Sequence, residues 1–191
     1  MRRWLAPGLA LVAACALTSR SEPRQLRYFA PELSPRVAFA GTPCARIRLG
    51  RAVAGSGLRQ AIERRVSPIE LERYETLRWT ESPEVYARRA IAGALFARPL
   101  AQAVAGPAPV LDVEVTAFEE VVRGASRAGR VVLRYQLRDE RQVVTRGEAA
   151  AEYPATSTTI DTVVVAIGAA LAASSDELAG RVVAAACGPP R

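Results

Sequence analysis

The sequence predicts one α/β domain, a mixed and mostly antiparallel sheet covered by two main helices. Three observations lead there. Residues 110–122 and 131–138 alternate apolar and polar side chains, the period of strands with one dry and one wet face. Two further stretches, after Ser82 and after Ser157, repeat apolar residues at helical spacing. Half of the 191 residues are hydrophobic, enough to fill one core at this length.

Taken in order, Val37 to Phe39 and Arg46 to Gly50 read as extended, with Ile47 and Leu49 alternating with Arg46 and Arg48. Gly50 to Gly57 reads as a loop. Gln60 to Val66 and Ile69 to Thr76 flank Ser67-Pro68 and read as two strands about a turn, although Leu58 to Arg65 also holds good helix formers. Ser82-Pro83 is a helix start, with serine as N-cap and proline at the first helical position. Ala87, Ala90, Ile91, Ala94 and Leu95 then form a stripe, and Pro99 closes the helix at about Arg98. Gly106 to Pro109 is a turn. Strand 110–122 puts Leu111, Val113, Val115 and Ala117 on one face and Asp112, Glu114 and Thr116 on the other. Gly124 to Gly129 reads as a hairpin loop. Val131, Leu133, Tyr135 and Leu137 point in from the next strand, with Arg134, Gln136 and Arg138 out. Asp139 to Arg141 turns the chain into Gln142–Tyr153. The final helix runs from Ser157 or Thr158 to Ala186 on a stripe of Ile160, Val163, Val164, Ile167, Leu171, Leu178 and Val182, and Gly188-Pro189-Pro190 stops it.

The N-terminus is organised differently. Arg2 and Arg3 precede an apolar run of eleven residues, Trp4 to Ala14, which ends in small residues. That is the layout of a secretory signal. It is too short for a ~30 Å hydrocarbon core, which takes about 20 helical residues, and Val163 to Ala173 is too short for the same reason. Residues 1–14 are therefore read as a signal peptide, 15–35 as a tether and 36–187 as the domain. Ser19, Ser21, Pro23, Pro31, Ser34 and Pro35 break up the tether, and one island, Tyr28-Phe29-Ala30-Pro31, interrupts it. A coil of ~20 residues spans roughly 25 Å r.m.s.. Leu11-Val12-Ala13-Ala14-Cys15 resembles a bacterial lipobox. The resemblance implies that Cys15 is diacylated, that the chain is cut before it and that the new amine is acylated. Three acyl chains at ~0.8 kcal/mol per buried methylene hold firmly. Ala16, where aspartate would mark retention at the inner membrane, implies the outer membrane.

Several chemistries are excluded. The chain has no histidine and no lysine; all 26 basic residues are arginine. Ser-His-Asp and Cys-His arrangements are absent, as are histidine-ligated metals, and no cofactor is expected. Gly50 to Gly57 has P-loop glycine spacing but places Ser56 where the phosphate-binding lysine belongs. The net charge of +7 falls to +5 without Arg2 and Arg3, and the arginines are interleaved with glutamates rather than gathered in a stripe, so no nucleic-acid partner is expected. Glu119 and Glu120 are adjacent carboxylates. Neighbours on a strand point to opposite faces, so they read as solvated strand charges rather than an acid/base pair. With Cys15 set aside, Cys44 and Cys187 remain, flanking the first strand and the last helix. In an oxidising compartment they are expected to pair; two free thiols are the alternative.

Several pieces together resemble one family: the lipobox; Tyr28 to Pro31; Arg48-Leu49-Gly50; Ser67-Pro68-Ile69-Glu70 leading through Tyr74-Glu75 to Arg78-Trp79-Thr80-Glu81-Ser82-Pro83; Ala94-Leu95-Phe96; Val113 to Glu119; and a last helix with Ala169 to Ala172 and Ser175-Asp176-Glu177-Leu178. The chain is similar to the ABC-type transport auxiliary lipoproteins that accompany transporters of the mammalian-cell-entry and paraquat-inducible kinds. The resemblance rests on order and spacing over nearly the whole mature chain; the stretch Gly50 to Ala61 and the cysteine pair depart from it. It implies a non-enzymatic outer-membrane subunit on the periplasmic face, which docks the periplasm-spanning bridge protein of an inner-membrane ABC transporter and supports membrane integrity. It further implies assembly into a homo-oligomeric ring. Tyr28, Phe29 and Trp79 are the candidate docking aromatics, with core packing the competing role for Trp79. Two other functions compete: regulation of a cell-wall synthase, which would need a longer tether, and a periplasmic enzyme.

Overall fold

The structure, a computed structural model, describes residues 24–33, 42–97, 100–140 and 142–188; Cys15, the signal segment and the expected strand Val37–Phe39 lie outside them. The described chain forms β1 (Arg27–Phe29), β2 (Ala45–Ala54), β3 (Ala61–Ser67), β4 (Glu70–Trp79), α1 (Pro83–Ala92), β5 (Ala101–Ala103), β6 (Val110–Arg123), β7 (Ser126–Asp139), β8 (Gln142–Pro154) and α2 (Ile160–Cys187). A single wider turn of π geometry, Gly93–Ala97, extends α1.

The 14-residue β6 is the spine. Along one side it takes β7 antiparallel, which takes β8 in turn. Along its other side it carries two strands laid end to end: β2 on its first half and β3 on its second, both parallel to it. β4 returns antiparallel on β3, β1 adds parallel to β4, and β5 adds parallel to β2. The sheet is mixed, with the long antiparallel ladders in the meander β6–β7–β8, as the clean alternation there predicts.

Inward residues of that meander, Leu111, Val113, Val115, Val131, Leu133, Tyr135 and Leu137, are buried. α2 lies across β7 and β8, with α1 beside it over β2 and β6. α2 is long and apolar enough to span a membrane by length and composition, which the short run Val163 to Ala173 did not suggest. Here Val163, Ile167, Leu171, Leu178 and Val182 are spent on the sheet instead and are fully buried.

Two expected loops are partly strand: β2 runs on to Ala54, leaving 55–60 as the connection, and β7 begins at Ser126. Gly50 is internal to β2: a Cβ there would sit 2.4 Å from Asp112 Oδ1, so the glycine permits close approach at a bulge rather than making a turn. Gly129 is internal to β7. A Cβ there would lie 2.2 Å from the Ile167 backbone nitrogen, so this glycine lets α2 settle onto the sheet. The true turn after β6 is only Gly124-Ala125, with Gly124 at φ +58°, the left-handed start that two-residue hairpins favour. Ser82 is the N-cap of α1 by position, but its hydroxyl donates to Glu84 Oε1 (2.7 Å) rather than capping the helix.

Candidate functional site

The first candidate region is the face of the sheet turned away from the helices. Outward residues of β2, β6, β7 and β8 line an open cleft of about 750 Å³ that includes Arg51, Val53, Asp112, Glu114, Arg134 and Arg146. The charges are largely matched in pairs. Arg134 Nη1 lies 3.3 Å from Glu114 Oε2, and Arg138 pairs with Asp112. The Arg51 backbone N–H also donates to Asp112 Oδ1 at 2.8 Å. Burial alone would raise the Asp112 carboxyl, but these donors outweigh it and hold it below the usual carboxylate range. At the far end Arg123 forms a bidentate pair with Glu152, and the guanidinium lowers that carboxyl too.

The second region is a set of buried carboxylates. Glu63, Glu119 and Glu120 are only 1–2 % exposed. They are not solvated strand charges. Arg65 holds Glu119 in a fork (Nε–Oε1 2.7 Å, Nη2–Oε2 3.0 Å), with Arg130 3.8 Å away. Arg73 Nε binds Glu63 Oε1 at 2.9 Å. Glu120 accepts from the Tyr74 hydroxyl at 2.6 Å and faces Arg127 Nε at 3.1 Å. Burial, then the Glu120 carboxylate, push the Tyr74 phenol up to about 12. Register explains the separation of the two neighbours: Glu119 pairs with Arg130 and Glu120 with Gly129. Gly129 faces α2, so Glu120 points to the helix side and Glu119 to the open side. Residue periodicity alone cannot show that a charged strand position is covered.

The third region is the N-terminal strap. Tyr28 and Phe29 lie in β1, with Tyr28 and Phe29 opposite Arg78 and Trp79. The Thr80 N–H donates to the Phe29 carbonyl at 2.9 Å. Phe29 packs against the core and Tyr28 faces solvent. Pro31 is buried and the chain then crosses α2 at Gly168, where a Cβ would stand 3.0 Å from the Glu32 carbonyl oxygen. Arg27 lies 3.8 Å from Asp161 on α2, and Arg24 pairs with Glu75 on β4. Residues 24–33, within the expected 15–35 tether, thus belong to the folded domain. Gly168 is the residue whose role the sequence hid.

Trp79 is no docking aromatic. It is fully buried, edge-on to Phe118 (5.0 Å) and Tyr86 (6.3 Å), with those two rings stacked at 6.2 Å. The Tyr86 hydroxyl ties the cluster to Thr80 Oγ1 (2.6 Å) and the Glu81 N–H (3.1 Å). Glu81 pairs with Arg89 rather than with the helix N-terminus. Cys44 and Cys187 are joined, Cα to Cα 5.7 Å, at the end of the sheet where β2 begins and α2 ends.

An open mixed sheet backed by two helices, with a charged outer face and residues 24–33 strapped along β4 and across α2, defines a small α/β scaffold. The chain belongs to the family of ABC-type transport auxiliary lipoprotein components, whose model matches residues 58–179. Solved structures share the fold. Protein XCC0632 from Xanthomonas campestris, of the DUF330 family, is 20% identical with a TM-score of 0.73, over 83% of this chain and 96% of that one. An uncharacterized protein is 15% identical with a TM-score of 0.63, over 83% and 99%. The hypothetical protein CT253 from Chlamydia trachomatis is 11% identical with a TM-score of 0.53, over 75% and 98%. No curated protein matches the chain. The family is an auxiliary part of a transport system and a lipoprotein one, which associates the chain with a transporter and a membrane.

Proposed function

We propose that this protein is a non-enzymatic outer-membrane lipoprotein, acylated at Cys15, that docks the periplasm-spanning bridge of an inner-membrane ABC transporter of the mammalian-cell-entry type and so supports lipid transport and membrane integrity. Several copies form a ring around the bridge. Membership of the transport auxiliary lipoprotein family carries this reading. Two features of the chain agree with it. The buried glutamates each face an arginine, and Glu120 a tyrosine hydroxyl as well, the fixed partners of a scaffold. The strap leaves only nine residue steps from Cys15 to Arg24, at most ~30 Å at full extension. That suits a subunit waiting at its own membrane for a bridge to arrive, and suits poorly one that reaches through a cell wall to a synthase.

Affinity purification of the full-length protein from detergent-solubilised envelopes is the test. The expected co-purifying set is a bridge protein with its permease and ATPase, and Cys15→Ala is expected to move the protein out of the outer-membrane fraction. Recovery of a peptidoglycan synthase in place of the transporter would overturn the reading.

A further inference from the structure

The turn between β3 and β4 is the least protected apolar feature among the described residues. Ile69 is 97% exposed and Leu71 40%, beside Pro68. An isolated exposed aliphatic residue is unremarkable. Two together at a hairpin turn that ends level with the β6–β7 turn call for a surface to meet, and the direction of the chain says which one. β1 runs parallel to β4, and Arg24 pairs with Glu75, so the chain upstream of the strap heads toward this tip. From Glu75 to Ile69 is six residues of strand or turn, ~20 Å at ~3.3 Å each. The nine steps from Arg24 back to Cys15 average roughly 15–18 Å as a free coil. The two lengths match.

We propose that Pro68 to Leu71 is a membrane-contacting tip, seated in the head-group layer of the bilayer that holds Cys15. The inference rests on the anchoring reading above. Exposed Glu70 lies within the tip and the Arg123–Glu152 pair at the same pole, charges that a head-group layer can meet, and the rest of this pole is small or hydroxylic. The Gly124-Ala125 turn lies here, because β6 runs parallel to β3, and so does the 155–159 loop after β8, with alanine and hydroxyl side chains and no acid. Tyr153, 42% exposed, stands beside them. The disulfide marks the opposite pole, which the tip directs toward the aqueous space.

The test uses the mature chain from Cys15, coupled through the Cys15 thiol to a maleimide phospholipid in phosphatidylcholine vesicles, so that attachment does not depend on acylation in the cell. Trp79, fully buried, is the one native tryptophan past the signal segment. Ile69→Trp therefore adds one reporter, and Gln102→Trp on β5 adds one at the far pole. The expected result is a blue shift at position 69 and loss of its emission with brominated acyl chains, with neither change at position 102. Hydrogen exchange on the unsubstituted chain is expected to slow at residues 67–71 on attachment. A position 69 that stays water-like, with exchange at 67–71 unchanged, overturns the tip. Mass spectrometry of Cys15 from cell envelopes judges the anchor separately: an unacylated Cys15 overturns that reading whatever the vesicles show.

Discussion

Replacing Arg65 by methionine should be among the costliest single changes on the open face of the sheet. Glu119 is 1% exposed, and Arg65 supplies both oxygens with a hydrogen bond. Without it the carboxylate keeps, among the described residues, Arg130 at 3.8 Å. Breaking a buried pair by removing one partner costs ~3–5 kcal/mol, and the remaining arginine places this case near the lower end, at about 3 kcal/mol. In a domain of this size that lowers Tm by roughly 6–12 °C. Glu119→Leu should cost less, because the Arg65 side chain is 28% exposed and its guanidinium can turn to water. The double variant Arg65→Met/Glu119→Leu should return to within ~1 kcal/mol of the parent, since paired apolar replacements of a buried ion pair are often neutral. Urea unfolding of the mature chain, followed by Trp79 emission, measures all three. The reasoning fails if Arg65→Met costs under ~1 kcal/mol, or if the double variant is no more stable than Arg65→Met.

Gly129→Ala drives a methyl into the Ile167 backbone at 2.2 Å; neither element yields easily, so a loss of ~3 kcal/mol or slightly more is expected by thermal melting, the upper end for overpacking. The Tyr74 phenol is raised to about 12 from an ordinary ~10. The stability it contributes is complete below pH ~10 and is lost as pH climbs toward 12, so alkaline unfolding should be steeper in the parent than in Tyr74→Phe, read by circular dichroism against pH. Asp112 and Glu152 are lowered, so their contribution is complete above the ordinary ~4 and lost as pH falls below it; Glu152→Gln should flatten the acid limb of the same curve. Reducing the bond between Cys44 and Cys187, 143 residues apart, should destabilise by up to about 5 kcal/mol on the chain-entropy model; equal melting with and without reductant would mean that the bond does not form in solution.

Most elements were legible because the local signals agree. In 110–116 and 133–138 the alternation, the register and the burial coincide, whereas past the register shift at Val115/Ala117 residues 117–121 are all buried; Ser82-Pro83 marks the start of α1. The glycines misled for one shared reason. Gly50 and Gly129 look like turn residues, yet each exists so that something can come close: Asp112 in one case and the α2 backbone in the other. Nothing local tells a close-approach glycine from a turn glycine, because the approaching group comes from 38 or more residues away in the chain. The parallel partners of β6 were illegible for a related reason, since β2 and β3 are chosen by topology rather than by pattern. Among the site residues, Trp79 gave the right role only when core packing was preferred to docking. Tyr28 and Phe29 both lie in β1, where Phe29 packs on the core and Tyr28 faces solvent, a pairing with β4 that no local pattern announces.

The shared edge of β6 bears on how the protein is made. β7 and β8 join β6 through short turns and can pair as soon as they emerge, but β2 and β3 precede β6 by tens of residues and must return to it over long loops, a slow class of contact. In that interval the meander shows a bare edge up to 14 residues long, a template on which another copy can pair. Yield on refolding should therefore fall with protein concentration, and a chain that has not yet closed this edge has reason to need an escort. Cys187 follows every strand in the chain, so its bond to Cys44 forms only once the two ends of the domain have met.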